Sequence, residues 1–232
     1  MLQSQLPVTN KLLSSLPRSE YQRLSEHLET EALTEGQVLS EPGEALRYVY
    51  FPTDALLTLV TLVDGDQVFA VGLVGREGMS GVSCALGAQT SPFRTLVQSS
   101  GQAMRMKAKV FARIFRECAA LREVVLQYGL SLTVQIAQTA ACNRYHVIEQ
   151  RLARWLLMTR DRLSSDHFHM THEMLGHLMG VRRVGVTNAA HALKERKLID
   201  YTRGAIDIID GIGLQTAACS CYHMVEGRHG KG

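Results

Sequence analysis

The chain has 232 residues, of which 46% are hydrophobic and 20% are charged. These values are typical of a soluble globular protein of one large or two modest domains, and they exclude a chiefly disordered chain. The net charge is only +3, but residues 151–203 hold ten Lys or Arg against five Asp or Glu, a balance of +5 that leaves −2 for the rest. Phosphate binding requires such a concentration of positive charge, although a solvated basic face has the same composition.

Targeting and redox patterns point to the interior of a cell. Because no window reaches about 18 uninterrupted apolar residues, we expect no membrane span. Residues 1–10 lack the basic and apolar regions of a secretory signal, which predicts a cytoplasmic location. The cysteines are odd in number and scattered, which does not indicate a disulfide framework. They are Cys84, Cys118, Cys142, Cys219 and Cys221.

The N-terminal half combines one short helix with a β-rich region. Pro17 introduces the predicted helix, whose apolar stripe is Tyr21, Leu24 and Leu28. From about residue 33 to residue 106, short β-like runs alternate with turn residues. We predict strands at 48–51, 56–63 and 68–74, with Asp64-Gly65 as a hairpin turn between the last two. This spacing indicates a small antiparallel sandwich or barrel.

A long helical pattern begins near residue 109, and few charges occur between residues 124 and 143. Such an apolar helix is either buried in a core or paired with a partner. Since the β-region offers little to cover it, we favour homodimerisation over packing on its own domain. The polar run 143–146 predicts a hinge around Tyr145 before the next helix. The residues expected in the dimer interface are Val124, Val125, Tyr128, Leu132, Ile136 and Ala140.

Residues 171–193 have the pattern of a helix-turn-helix. Thr171 suits the N-cap of a first helix. Gly176 is small where a second helix must cross closely, and Gly180 suits a left-handed turn four residues later. Val186 is placed to fill the gap between the two helices.

The second helix separates into an inward apolar face and an outward polar face. Arg pairs with guanine, Asn pairs with adenine, and the methyl group of Thr can contact thymine, so the outward face suits base edges. An ordinary helix hairpin with a polar outer face is the alternative. The outward residues are Arg183, Val184, Thr187, Asn188 and His191.

Two short β-runs, 198–201 and 205–209, follow this helix directly. A hairpin in this position is the wing of a winged helix-turn-helix, and Arg203 lies at its tip. We expect Arg203 to contact a phosphate.

At this point the chain resembles the Crp–Fnr superfamily, the bacterial regulators related to the cyclic-AMP receptor protein, over nearly its whole length. The resemblance is strongest in the run Gly-Val-Arg-Arg-Val-Gly-Val-Thr-Asn at 180–188. It implies an α+β fold with an N-terminal antiparallel β-roll of the cyclic-nucleotide-binding type, a long dimerisation helix and a C-terminal winged helix-turn-helix. The domains expected are 1–117, 118–146 and 147–232.

The resemblance also implies a homodimeric transcriptional regulator that binds double-stranded DNA at an inverted repeat and meets RNA polymerase. Val184 stands where the cyclic-AMP receptor protein has a glutamate, and Asn188 where it has a second arginine, so a different half-site is expected. The residues expected at DNA are Thr171, Arg182, Arg183, Val184, Thr187, Asn188, His191 and Arg203.

The sensor half resembles the family more loosely. Glu77-Gly78 and Arg94-Thr95 are candidates for the ribose and phosphate positions of a cyclic-nucleotide pocket. Their spacing is longer than in nucleotide binders, and the Gly-Glu order is altered. We expect a degenerate pocket that does not bind cyclic AMP, no cofactor and an effector that is unknown.

Other groupings carry less weight. Cys219-Ser220-Cys221 is an uncommon zinc pair with no second pair nearby in the sequence, so two reduced cysteines are favoured and no metal site is predicted. The histidines between 167 and 177 are interpreted as polar surface or phosphate contacts. No Walker loop or Gly-x-Ser-x-Gly elbow occurs, so no enzyme is expected. The remaining alternative is a ligand-binding or protein-interaction module whose winged helix contacts protein.

Overall fold

The structure is a computed structural model that describes residues 10–63 and 67–226. Its helices are α1 (Lys11–Ser14), α2 (Arg18–Ser25), α3 (Ala108–Glu117), α4 (Ala119–Tyr145), α5 (Ile148–Leu163), α6 (His172–Met179), α7 (Arg183–Glu195), α8 (Gly211–Ala217) and α9 (Cys221–Glu226). Its strands are β1 (Glu29–Leu33), β2 (Val38–Ser40), β3 (Tyr48–Pro52), β4 (Leu56–Val63), β5 (Gln67–Val74), β6 (Arg94–Ser99), β7 (Gly101–Lys107), β8 (His167–His169), β9 (Ile199–Thr202) and β10 (Ala205–Ile208). A 3₁₀-helix covers Val82–Leu86.

The described residues form two compact units. The first contains 10–58 and 74–130, and the second contains 59–63, 67–73 and 131–226. No helix of the described residues is long and apolar enough to cross a membrane.

The N-terminal region contains two sheets, and the predicted antiparallel β-architecture is confirmed. One sheet has the order β1-β7-β3, with both pairs antiparallel, and the other has the order β2-β6-β4-β5. The three strands predicted from the sequence correspond to β3, β4 and β5. The predicted Asp64-Gly65 turn lies outside the described residues.

Aromatic packing closes the core of the first unit. The rings of Phe51 on β3 and Phe111 on α3 are 6.2 Å apart, and both side chains are fully buried. Burial of a side chain of this size stabilises the fold by about 1.5–3 kcal/mol. Gly101 is required at the start of β7, because a Cβ there would lie 2.5 Å from the backbone nitrogen of Ala55.

Helix α4 has 27 residues, which corresponds to a length of about 40 Å. Three of the six residues predicted for the dimer interface are covered by the chain itself. Val125, Tyr128 and Leu132 are buried within the single chain, and side chains already buried have no surface to offer a second copy. Large apolar side chains exposed before the terminal Tyr145 include Leu126 (45%) and Leu130 (59%), and the small residues Ala137, Ala140 and Ala141 are exposed further along.

The second unit is built around α5, which packs against α7, α8 and α9. Its buried face includes Leu152, Leu156 and Leu157. A three-stranded sheet with the order β8-β10-β9 completes the unit, and both of its pairs are antiparallel. The break predicted around Tyr145 lies between the end of α4 and the start of α5.

Candidate nucleic-acid interface

Helices α6 and α7 form a helix-turn-helix whose turn is set by two glycines. The hydroxyl of Thr171 caps α6 by accepting a hydrogen bond from the backbone of Met174 at 3.1 Å. Gly180 ends the helix in a left-handed conformation with φ +63°. A Cβ on Gly176 would lie 3.0 Å from the carbonyl oxygen of Val181, so the turn folds directly against α6.

The inward face of α7 holds that helix in place. Val186 and Leu193 are fully buried, and Ala189 and Ala190 are buried beside them. Small residues in the middle of the face let α7 approach its neighbours closely. This burial leaves only the opposite face of α7 exposed to solvent.

The exposed face begins at the N-terminal end of α7. Arg182 is the N-cap, Arg183 is the first helical residue, and Val184 is 60% exposed. Asn188 and His191 lie on the same side of the helix. His191 approaches Glu195 at 3.4 Å.

Three of these side chains are unengaged. No hydrogen bond or ion pair within 10–63 and 67–226 involves the side-chain nitrogens of Arg182, Arg183 or Asn188. Their donors therefore face solvent at the position where a recognition helix presents its first turns.

Thr187 is only half exposed, because its hydroxyl is used inside the protein. Oγ1 donates to the carbonyl oxygen of Arg183 at 3.1 Å and lies 3.2 Å from Nδ1 of His172. With the hydroxyl proton committed to Arg183, Nδ1 of His172 is the donor in the second bond. Because the hydroxyl is engaged within the protein, the methyl group is the part of the Thr187 side chain that can contact a ligand.

The surroundings of His172 favour the neutral form of its imidazole. Partial burial lowers the pKa of its imidazole, and the nearby charge of Arg183 lowers that pKa further. The ring also packs edge-on against Tyr201 of β9, with ring centroids 4.7 Å apart. His172 therefore links α6, α7 and the following strand.

The hairpin β9–β10 has the predicted position of a wing. Arg203 and Gly204 form its tip with φ +51° and +90°, the left-handed pair of a tight two-residue turn. The Arg203 side chain is exposed. At the base of the hairpin, the ammonium of Lys194 lies 2.6 Å from Asp200 and 5.0 Å from the ring centre of Tyr201.

The candidate nucleotide residues of the first unit are occupied by other contacts. Nε of Arg94 forms an ion pair with the carboxylate of Glu41 at 2.8 Å. The hydroxyl of Thr95 is buried and accepts a hydrogen bond from the hydroxyl of Ser40 at 3.1 Å. The Glu77 carboxylate accepts a hydrogen bond from the backbone of Gly75 at 3.1 Å.

The aromatic ring of Tyr128 packs directly against the backbone of Gly78. A Cβ at this position would overlap the ring of Tyr128, and Tyr128 itself is buried. The space next to Gly78 is therefore filled by a side chain of the protein.

A second group of polar side chains lies at the end of α4. The potential ligand atoms of Cys142, His146, Cys219 and Cys221 all lie within 4.8 Å of one another. The sulfurs of Cys142 and Cys219 are 3.4 Å apart, and the sulfur of Cys221 is 3.5 Å from Nδ1 of His146. All three cysteines are buried.

The pKa values of two of these thiols, Cys142 and Cys219, are shifted in opposite directions. The hydrogen bond from Cys219 lowers the pKa of the Cys142 thiol to about 5, with further help from His146 and Arg154 against the effect of burial. The same hydrogen bond, together with burial, raises the pKa of Cys219 above its usual range.

This group was not predicted from the sequence. Cys219 and Cys221 have no second pair of ligands nearby in the sequence, but the end of α4 and the residue after it supply Cys142 and His146 from more than 70 residues away. The spacing of four residues between Cys142 and His146 puts both on one helix face and is the only sequence pattern that pointed to them.

Comparison with known proteins identifies the C-terminal part of the chain. Residues 150–217 match the family model of the Crp-like helix-turn-helix domain. No curated protein sequence matches the chain.

Solved structures extend the likeness in fold to most of the chain. FixK2 from Bradyrhizobium japonicum has a TM-score of 0.72 at 11% identity, covering 83% of this chain and 98% of its own. A Crp-family transcriptional regulator from Thermus thermophilus has a TM-score of 0.68 at 15% identity, covering 81% and 96%. The c-di-GMP responsive regulator CLP from Xanthomonas campestris has a TM-score of 0.68 at 11% identity, covering 83% and 99%.

The helix-turn-helix geometry, the family match and the shared fold agree. This chain has the fold of the Crp–Fnr transcriptional regulators and carries a Crp-like helix-turn-helix domain at residues 150–217.

Proposed function

We propose that this protein is a sequence-specific transcriptional regulator that binds an inverted-repeat operator as a homodimer and does not respond to cyclic AMP. The observation that carries the proposal is the exposed row at the start of α7, where Arg182, Arg183 and Asn188 present unengaged donors. Guanidinium and amide donors on the first turns of a recognition helix are the groups that bind phosphates and base edges in the major groove.

Each member of the row suits a particular part of the duplex. Arg183 projects from the first turn of α7 and is suited to the paired acceptors of guanine, and Asn188 is suited to adenine. Val184 and the methyl group of Thr187 are suited to thymine methyl groups. Arg182 and Arg203 lie at the edges of this surface and suit phosphates on either side.

Thr171 and His191 have secondary roles in this proposal. The Thr171 hydroxyl already caps α6, so its contribution to DNA binding is to hold the first helix in position. His191 lies further along α7, beside Glu195, where it suits the edge of the contact surface.

Homodimerisation is supported by the exposed apolar side chains of α4. Leu126 and Leu130 are more exposed than is usual for leucine and lie four residues apart on one face of the helix. Of the other residues predicted for the interface, Ala140 lies on the same side of the helix and is exposed, whereas Ile136 and Val124 are partly exposed and point away from this face. Two copies joined through α4 would present two recognition helices to half-sites about 34–36 Å apart, one turn of DNA.

An effector other than cyclic AMP is supported by the occupied pocket residues. Arg94 is neutralised by Glu41, and Tyr128 covers Gly78, so neither is available to a ribose phosphate. CLP is responsive to c-di-GMP, so the fold is not tied to one ligand. In this scheme the effector shifts a two-state equilibrium through the break between α4 and α5. A cytoplasmic location, contact with RNA polymerase and the absence of enzymatic activity belong to the same proposal.

Selection from a randomised DNA pool tests the proposal. Full-length protein is incubated with the pool with and without cyclic nucleotides, haem and small metabolites, and bound DNA is sequenced. We expect an enriched inverted repeat whose half-sites are one helical turn apart. Enrichment of a single half-site would contradict the dimer, and a pool left random under all conditions would contradict sequence-specific binding.

A further inference from the structure

We propose that Cys142, His146, Cys219 and Cys221 bind a single divalent transition-metal ion of the zinc type. The four side chains offer three sulfurs and one imidazole nitrogen, the Cys₃His donor set of closed tetrahedral zinc sites. This inference is independent of the proposed operator and effector, because none of the four residues belongs to the exposed row of α7, to the wing or to the candidate nucleotide residues.

The distances fit one ion at the centre of the group. Metal–sulfur bonds of about 2.3 Å in a tetrahedron place neighbouring ligand atoms about 3.7 Å apart. The observed separations of 3.4 Å between the Cys142 and Cys219 sulfurs and 3.5 Å between Cys221 and His146 are close to that value. A disulfide requires sulfurs about 2.05 Å apart. A multi-iron cluster spreads its cysteines over different iron atoms and needs a wider group.

Two segments that are distant in the sequence converge to make the site. Cys142 and His146 come from the last turn of α4 and the residue after it, so one ligand pair is set by helix geometry. Cys219 precedes α9, and Cys221 is its first residue. A metal ion at this point would tie these two segments of the second unit together.

The surroundings supply what a thiolate site needs. Nε2 of Gln138 lies 2.9 Å from the sulfur of Cys221, as a donor to a metal-bound thiolate would. Arg154 is 4% exposed, donates to Thr139 at 3.1 Å, and acts electrostatically on Cys142. Three thiolates and a divalent ion leave one net negative charge, which this buried guanidinium offsets. Metal binding would release the remaining thiol protons to solvent.

Cobalt titration of the reduced, chelator-treated full-length protein tests the site. Co²⁺ is the probe because tetrahedral thiolate coordination gives strong visible absorption and a near-ultraviolet sulfur-to-metal band. We expect both bands to saturate at one Co²⁺ per chain and to be abolished by one equivalent of Zn²⁺. Zn²⁺ should also raise the thermal unfolding midpoint, because the assembled four-ligand site of the folded chain binds it more tightly than the unfolded chain does.

The matched variants separate the site from the other cysteines. Cys221→Ser should weaken Co²⁺ binding at least about tenfold and shift the near-ultraviolet band, and His146→Gln should change the visible bands while the sulfur band remains. Cys84→Ser changes a cysteine outside the group and should bind as the unmodified chain does. Circular dichroism of each variant checks that folding is retained.

Three results would overturn the proposal. The first is the absence of tetrahedral bands in the unmodified reduced protein. The second is unchanged binding by both Cys221→Ser and Cys142→Ser, which would place the metal elsewhere. The third is iron–sulfide reconstitution that yields several irons per chain at these four residues. None of these results would affect enrichment of an inverted repeat, so this proposal and the proposed function fail separately.

Discussion

Nδ1 of His172, at the start of α6, lies 3.2 Å from the hydroxyl of Thr187 in the middle of α7. This contact joins the two helices of the helix-turn-helix directly beneath the exposed row of α7. The imidazole of His172 is also titratable, and its pKa is lowered in part by the charge of Arg183, the residue expected to read a base. Acidification should therefore act on the recognition surface.

The free energy of unfolding should fall below about pH 6.5, the pKa of an unfolded histidine, because burial and Arg183 lower the pKa of His172 in the folded chain. A proton then binds the unfolded chain more tightly, so stability is lost as the pH falls through the unfolded pKa. Urea unfolding at about pH 7.5 and about pH 5.5 measures this loss. His172→Gln should lose less stability than the unmodified chain over that interval.

Thr187→Val is the matched control for this prediction. It removes the hydroxyl but keeps the size of the side chain, and the causes of the lowered pKa, burial and Arg183, remain. Its acid sensitivity should persist. Equal loss of stability in His172→Gln and the unmodified chain would show that another group governs the acid response.

Arg183→Ala should weaken operator binding by about 1–3 kcal/mol and relax the preference at one base position. The reason is that, in the proposed complex, the guanidinium on the first turn of α7 would make a bidentate contact with one guanine. Binding to every single-base variant of the selected operator measures both effects. The neighbouring Arg182→Ala should weaken all variants alike, and an unchanged preference in Arg183→Ala would show that the reading face is misplaced.

Arg203→Asn should weaken binding evenly across sequences and reduce the salt dependence by about one counterion. Asparagine is chosen because it tolerates the left-handed φ of +51° that the wing tip requires, whereas alanine would strain the turn. Operator affinity measured against salt concentration checks the slope. Arg203→Lys keeps the charge and should keep the slope, and a sequence-dependent loss would assign Arg203 to a base instead.

Leu130→Glu should shift the protein from dimer to monomer, because Leu130 is the most exposed large apolar side chain of α4 before its terminal Tyr145 and a buried unpaired carboxylate is costly. Analytical ultracentrifugation gives the dissociation constant. Leu86→Glu places the same charge at a leucine that is 72% exposed outside α4 and should leave the dimer intact. A dimer that survives Leu130→Glu but not Leu86→Glu would move the interface away from α4.

Local patterns predicted the elements well. Thr171 has the short polar side chain that caps a helix, Gly180 lacks the Cβ that opposes positive φ, and Val186 lies on the apolar stripe of its helix. Each of these properties depends on a residue and its near neighbours in the chain. The helix-turn-helix, the wing and the strands β3, β4 and β5 were therefore predictable, whereas β1, β2, β6 and β7 were not assigned from the sequence.

Which side of a helix is already covered was not predictable in the same way. Val125, Tyr128 and Leu132 have the spacing of an interface, and so does the exposed pair Leu126 and Leu130. An apolar helix has two such stripes, and periodicity does not tell which one meets the chain's own core. Packing against residues distant in the sequence decided which stripe is buried, as where Gly78 lies against the ring of Tyr128.

The sequence by itself determined the helix-turn-helix of this protein, because capping, turn conformation and the apolar stripe are short-range properties. It also determined the outward position of Arg183 and Asn188, since these follow from helical periodicity once Val186 is inside. Only the tertiary structure brought Cys142 and His146 against Cys219 and Cys221. That group depends on long-range packing, in which residues more than 70 positions apart become neighbours without any pattern linking them along the chain.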